Sequence, residues 1–256
     1  MRETNLPAHL VFLLRGSFAA CLGLMLGACA HDKPRLVAWS TGTPSLYLGN
    51  CYAPEEEQTP WTDLLPRQAL SLSFRPDFQA DKKGDDWDRL HHCLYSAELG
   101  VMGEKRLWPA ASDAESYRFT WLRSFHAPVV IRVERSGPVF QLHAKQLDGV
   151  SVAPGGAVTG KFAVDHTRLL TPEESSQVVL ALKAANFWGL TPRHSQGDHV
   201  VYSDGASWLL EGTRAGHYRA YNVHSPESEG EAGAFRAACL KLVQLAGLAI
   251  REDEVY

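Results

Sequence analysis

Apolar and polar positions alternate in several stretches of this chain in the two-residue rhythm of strands, and a few other stretches show helical spacing. Leu70, Leu72 and Phe74 predict a short strand over 69–74, ending before Pro76. Trp87, Leu90, Leu94 and Ala97 recur at helical spacing after Asp85-Asp86, so a helix capped there should run to Gly100. Three strands are then expected. Tyr117, Phe119 and Trp121 alternate on the first. Val129, Ile131 and Val133 do so on the second, with Arg132 and Glu134 facing away. Ser136-Gly137 turns into a third at 138–145, where Phe140 and Leu142 alternate. Residues 148–160 are glycine-rich and read as a long loop before a strand near 161–164.

Thr171-Pro172-Glu173-Glu174 is the strongest local signal. A threonine N-cap, a proline at the first helical position and a glutamate three residues after the cap form a capping box. The helix it opens should run to about Trp188 and stop at Gly189. Strands are expected over 199–203, 207–211 and 217–224, with Asp204-Gly205 and Arg214 to Gly216 as turns. A last helix over 229–246 would set Phe235, Cys239, Leu242 and Ala246 on one face. The predicted class is α+β: an antiparallel sheet of hairpins with about three helices, packed on one face of the sheet. Residues 116–189 and 198–247 each read as three strands then a helix, which suggests two degenerate repeats.

The first 66 residues follow another logic. Arg2 and Arg15 precede an uncharged, small and apolar run over 16–28, too short to span a bilayer. Leu26-Gly27-Ala28-Cys29 resembles the lipobox of bacterial lipoproteins. The resemblance implies a signal peptide over 1–28 and a Cys29 thiol carrying diacylglycerol, with a further acyl chain (palmitate or similar) on its amine. Two or three chains hold a protein on a membrane where one does not. Ala30 stands where an aspartate would mark inner-membrane retention, so the resemblance favours the outer membrane, facing the periplasm. Ala28-Cys29-Ala30 also fits ordinary cleavage to a soluble periplasmic protein. Residues 29–66 carry Pro34, Pro44, Pro54, Pro60 and Pro66, which predicts a mostly extended tether, partly wrapped on a single domain over 67–256.

Charge and cysteines narrow the compartment. The net charge of −4 and the lack of a basic cluster give no reason to expect nucleic acid. Beyond Cys21 and Cys29, an exported chain keeps Cys51, Cys93 and Cys239, enough for one disulfide and one free thiol, with the pairing left open. Residues 117–248 resemble a group of uncharacterised bacterial exported proteins, through Phe187-Trp188-Gly189-Leu190, Asp204-Gly205, Trp208, Glu211-Gly212, Gly216, Tyr218 and Ser225-Pro226. That resemblance implies a shared fold and an envelope location and supplies no activity. The same residues have structural readings: Trp208 packing against the helix that ends at Trp188, and Glu211 capping a turn or pairing with Arg214.

Candidate chemistry is sparse. Residues 155–161 nearly match a phosphate loop, but Phe162 replaces the magnesium-binding hydroxyl and a strand is expected next. Asp88 and His92 lie four apart on the first helix, beside His91 and Cys93, and are weak metal candidates that would need a distant third ligand such as His194 or His199. Asp198, His199, Ser203 and Asp204 offer the residue types of a nucleophile and base, but neighbours on a strand point to opposite faces. No catalytic residue and no cofactor is assigned. The leading expectation is a non-enzymatic interaction module meeting an envelope protein or cell-wall material through Trp208, Tyr218 and Tyr221 on the last hairpin. The alternatives are an envelope hydrolase or metal-dependent enzyme using the His/Asp groups, and a small-ligand module lined by Trp121, Trp188 or Trp208.

Overall fold

The computed structural model describes residues 45–47, 64–66, 68–71, 82–149, 157–159, 161–190 and 204–256. All lie within one unit, Trp39–Tyr256. Its elements in chain order are β1 (Ser45–Tyr47), α1 (Gln68–Ser71), α2 (Lys82–Val101), β2 (Glu115–Arg123), β3 (Val129–Ser136), β4 (Val139–Leu147), β5 (Ala157–Thr159), β6 (Phe162–Leu169), α3 (Pro172–Ala184), β7 (Ala206–Arg214), β8 (His217–His224) and α4 (Gly230–Leu245). The class is α+β, as expected. Six strands form one antiparallel sheet in the order β6-β4-β3-β2-β7-β8, and β1 pairs with β5 in a small second sheet.

The order follows from burial. β2 carries large apolar side chains on one face, Tyr117, Phe119 and Trp121, and is buried on the other face as well, so it belongs at the centre. β3 and β4 fold back beside it as hairpins on one flank. On the other flank β7 aligns antiparallel to β2, with Arg118 opposite Glu211 and Trp121 opposite Trp208. The apolar face packs under α3 and α4: Val178 and Leu182 from one, Phe235, Cys239 and Leu242 from the other. Trp121 and Trp208 stack at 4.7 Å between ring centroids, and Phe119 lies 5.3 Å from Trp208.

Helices cover both faces of the sheet, not one. Tyr95, Ala97, Leu99 and Met102 of α2 and its end, with Ala69 and Leu70 of α1, share a second core with Val130, Leu147 and Leu209 on the opposite face. The reason lies in α2, whose later half carries apolar residues around most of its circumference and cannot stay bare in water. α2 starts at Lys82, ahead of the expected Asp85-Asp86 cap. Residues 69–71 are helical, where a strand was expected. Both Ala69 and Leu70 are buried there, and the Ala69 amide donates to the Pro66 carbonyl (2.8 Å), so packing overrides a short alternation. Residues 72–76 lie outside the described residues. Within the expected tether, β1 pairs with β5 and Leu64 and Leu65 are buried against the second core.

α3 opens on the capping box: the Glu174 amide donates to the Thr171 hydroxyl (3.2 Å) and the Glu174 carboxylate accepts from the Thr171 amide (2.9 Å). It ends a turn earlier than expected. Asn186 takes the left-handed conformation (φ 47°), and a 3₁₀ turn at Phe187–Gly189 drives Phe187 into the core against Tyr117. Arg168 at the end of β6 grips Glu174 with both terminal nitrogens (2.7 and 2.8 Å) and donates to the Leu245 carbonyl (2.7 Å), tying the start of α3 to the end of α4.

Candidate functional site

The face of the sheet beneath α2 carries a row that crosses all six strands and is polar on five of them. Strand register places Ala220, Glu211, Arg118, Arg132, His143 and Thr167 opposite one another in succession, from β8 through β7, β2, β3 and β4 to β6. Two arginines therefore sit directly across from each other at the centre of the sheet, which is repulsive unless an anion joins them. Glu104 does so. Its Oε2 accepts from Arg132 Nε (2.8 Å) and lies 3.7 Å from Arg118, while Oε1 lies 3.1 Å from Lys145 Nζ.

The end of α2 delivers Glu104 to that position. Gly103, at φ 62°, turns the chain in the left-handed conformation. The Gly103 amide donates to Gly100 and the Glu104 amide to Leu99, the two bonds of a Schellman stop. Lys145 Nζ donates to the Met102 carbonyl (2.6 Å), so a cation of the sheet meets the negative end of the helix, and Arg118 donates to the Lys105 carbonyl just beyond the stop (2.6 Å).

Toward β8 the row is sealed. Arg118 and Glu211 are both 0 % exposed and meet through two contacts of 2.7 Å, and Tyr218 donates its hydroxyl to the other Glu211 oxygen (2.8 Å). Burial pushes the Glu211 carboxyl up, against the pull of Arg118 and Tyr218. Burial also drives Tyr218 up, helped by Glu211. Glu104 behaves oppositely: burial opposes its charge, but Arg132, Arg118 and Lys145 outweigh it and hold the carboxyl low. Toward β6 the row opens to solvent. Glu134 contacts Arg132 and Lys105, which keep it ionised against partial burial. His143, its side chain 18 % exposed, has Nδ1 2.9 Å from the Thr167 hydroxyl and Nε2 3.5 Å from Glu134. Burial and then Arg132 lower its pKa, so the ring is neutral at neutral pH.

Hydroxyl, imidazole and carboxylate in that order are the residue types of a nucleophile and its base. Here Glu134 is already engaged by two cations and its contact to His143 is long. The row's chemistry is mutual neutralisation, which fastens α2 to the sheet. Sequence reading noted Arg132 and Glu134 only as facing away from the core. It missed Glu104, which follows the end of α2, and Arg118 and Lys145, whose one signal was charge embedded in strongly alternating strands.

The residues singled out from the sequence are scattered. Trp208 (0 % exposed) and Tyr221 (3 %) are core side chains, and Tyr218 is half-buried with its hydroxyl on Glu211. These three do not form the exposed contact surface expected of the last hairpin, because Trp208 and Tyr221 face the layer of α3 and α4. Trp208 packs on Trp121 and donates to the backbone oxygen of Tyr256 (2.9 Å), whereas Trp188 packs on Tyr117 and Phe187. Glu211 pairs with Arg118 and not with Arg214, which lies over the Trp188 ring (4.9 Å). Asp88 and His91 are helical residues of α2. His92 is buried and donates from Nε2 to the Leu65 carbonyl (2.7 Å). No group of three metal-ligand residue types converges among the described residues. Asp204 accepts from His224 through its backbone oxygen (2.9 Å), while His194, Asp198, His199 and Ser203 lie outside the described residues, as does Cys29. The near phosphate loop contains β5 and leads into β6, so no helix N-terminus follows it. Cys93 is disulfide-bonded, and Cys239 is a free, buried thiol.

No known family, no characterised protein and no solved structure matches the chain.

Proposed function

We propose that this protein is a lipid-anchored lipoprotein of the bacterial envelope whose α+β domain binds an envelope protein or cell-wall material. The observation that carries the reading is Leu26-Gly27-Ala28-Cys29, placed directly after a charged segment and an apolar run too short to span a bilayer. The disulfide at Cys93 fits an oxidising compartment. No helix among the described residues is long and apolar enough to cross a membrane, and the proposal assigns attachment to acyl chains on Cys29. The non-enzymatic part rests on the polar row, where Arg118, Arg132 and Lys145 and the carboxylates between them are engaged with one another.

The intact mass of the protein extracted from membranes in detergent tests the anchor, with Cys29→Ser alongside. The expected result is a chain that begins at Cys29 with a lipid-sized increment, lost in the variant. An unmodified chain beginning at His31 overturns the proposal and makes this a soluble periplasmic protein.

A further inference from the structure

Among the described side chains of α2, Glu98 is a carboxyl that the polar row does not engage. It is 2 % exposed, and its Oε2 has no hydrogen-bond partner. On the helix it follows Tyr95 by three residues and precedes Met102 by four, so all three share a stripe. Tyr95 donates to Asn222 on β8 (3.2 Å), and the Met102 carbonyl accepts from Lys145 on β4 (2.6 Å). The stripe therefore runs from β8 toward β4, and Glu98 is carried between those two anchors. An ionised carboxylate left there without a partner is far costlier than a neutral acid.

We propose that the docking of α2 on the sheet is tuned by a proton on Glu98: the helix lies down most tightly when this carboxyl is neutral, and ionising it favours the release of α2, which uncovers the Arg118–Glu211 end of the polar row. The proton leaves to solvent, so no other reactant is needed. Among the described residues, the titratable groups on the polar face of the sheet toward α2 are Glu104 at the helix end, Arg118 on β2, Arg132 and Glu134 on β3, His143 and Lys145 on β4, Glu211 on β7 and Tyr218 on β8, with His92 and Tyr95 on the helix itself. α1 and β5, which also pack on α2, have none. None of these groups shifts Glu98. Burial alone pushes its carboxyl up to about 8. The sign follows: a folded value above the unfolded one, about 4.3, means that docking is fully stabilised below the unfolded value and weakens as pH rises toward about 8. Glu104 is held low by its three cations and stays ionised across that window, so the anchor at the end of α2 does not change.

Hydrogen exchange of the full chain, corrected for intrinsic rates and compared with Glu98→Gln, tests this. In the wild type the opening of α2 should grow about tenfold per pH unit between about pH 5 and 8, the signature of one proton released on opening. In the variant α2 should be flat, and α4 flat in both. An α2 that is flat in the wild type, or equally steep in the variant, overturns the proposal. Should the variant fail to fold, the carbon resonance of the wild-type Glu98 carboxyl decides. A protonated acid at about pH 7 supports the gate and an ionised one refutes it.

Discussion

At the scale of single residues, burial and pairing decide what each polar group does. Arg118 and Glu211 are Cα partners in the sheet and wholly buried, and each satisfies the other. Removing one leaves the other charged and dry, which costs far more than the pair gains over apolar replacements. Glu211→Ala should therefore lower unfolding stability by about 3–5 kcal/mol in a urea titration, while Arg118→Met with Glu211→Leu should recover most of it. Comparable losses for the double and the single variant would show that the pair contributes more than neutralisation. Next to this pair, Gly212 is required by close approach. A Cβ there would come within 2.6 Å of the Phe187 ring and 2.9 Å of Tyr117. The Glu211-Gly212 dipeptide thus has one residue for each layer, a charge toward α2 and an absence toward α3.

At the scale of elements, the junction of β6, α3 and α4 is organised by Glu174, which completes the capping box and takes both nitrogens of Arg168. The Arg168 contact first, then the Thr171 amide, hold this carboxyl down to about 2. A folded value below the unfolded one gives stability that is present above about pH 4 and lost as the pH falls toward 2. Glu174→Gln should cost about 1 kcal/mol at neutral pH and flatten that acid limb, as read by thermal melts at several pH values. An acid limb that is unchanged in the variant would place the dependence on other carboxylates, Glu104 and Glu134 first. The same junction shows why α3 stops early: Asn186 turns the chain so that Phe187 fills the core, and no local helix signal outweighs that burial.

For the whole molecule, one sheet separates two layers of different character. The α3/α4 side is apolar and aromatic, whereas the α2 side mixes apolar contacts with the polar row. Cys239 sits in the aromatic layer with no exposure, and burial raises its thiol well above the usual range. It should resist alkylation in the native protein and react at the rate of global unfolding, since only loss of the α4 layer exposes it. Mass spectrometry of the Cys239 peptide along a urea series tests this. Modification well before the main transition would mean that α4 opens independently.

Local patterns were legible without the fold. The capping box at Thr171 and Glu174, the alternation of Tyr117, Phe119 and Trp121, and the face of Phe235, Cys239 and Leu242 all emerge from residues within a few positions of one another. The energies that set them act between those neighbours. The run Leu26-Gly27-Ala28-Cys29, on which the proposed lipid anchor rests, is likewise a linear pattern of neighbouring residues. What the tertiary structure decided is which surfaces meet. Glu211 is 93 residues from Arg118, and only the docking of β7 beside β2 makes them a pair. Trp208 and Tyr221 read as candidates for a contact surface until α4 and the segment ending at Tyr256 covered them. Ala69 and Leu70 alternate like a strand, but burial against α2 and the sheet makes them helical. The polar face of β2 carries Arg118 and Thr120 and would face water in a two-layer protein. α2 closes over it because its own apolar later half has nowhere else to go.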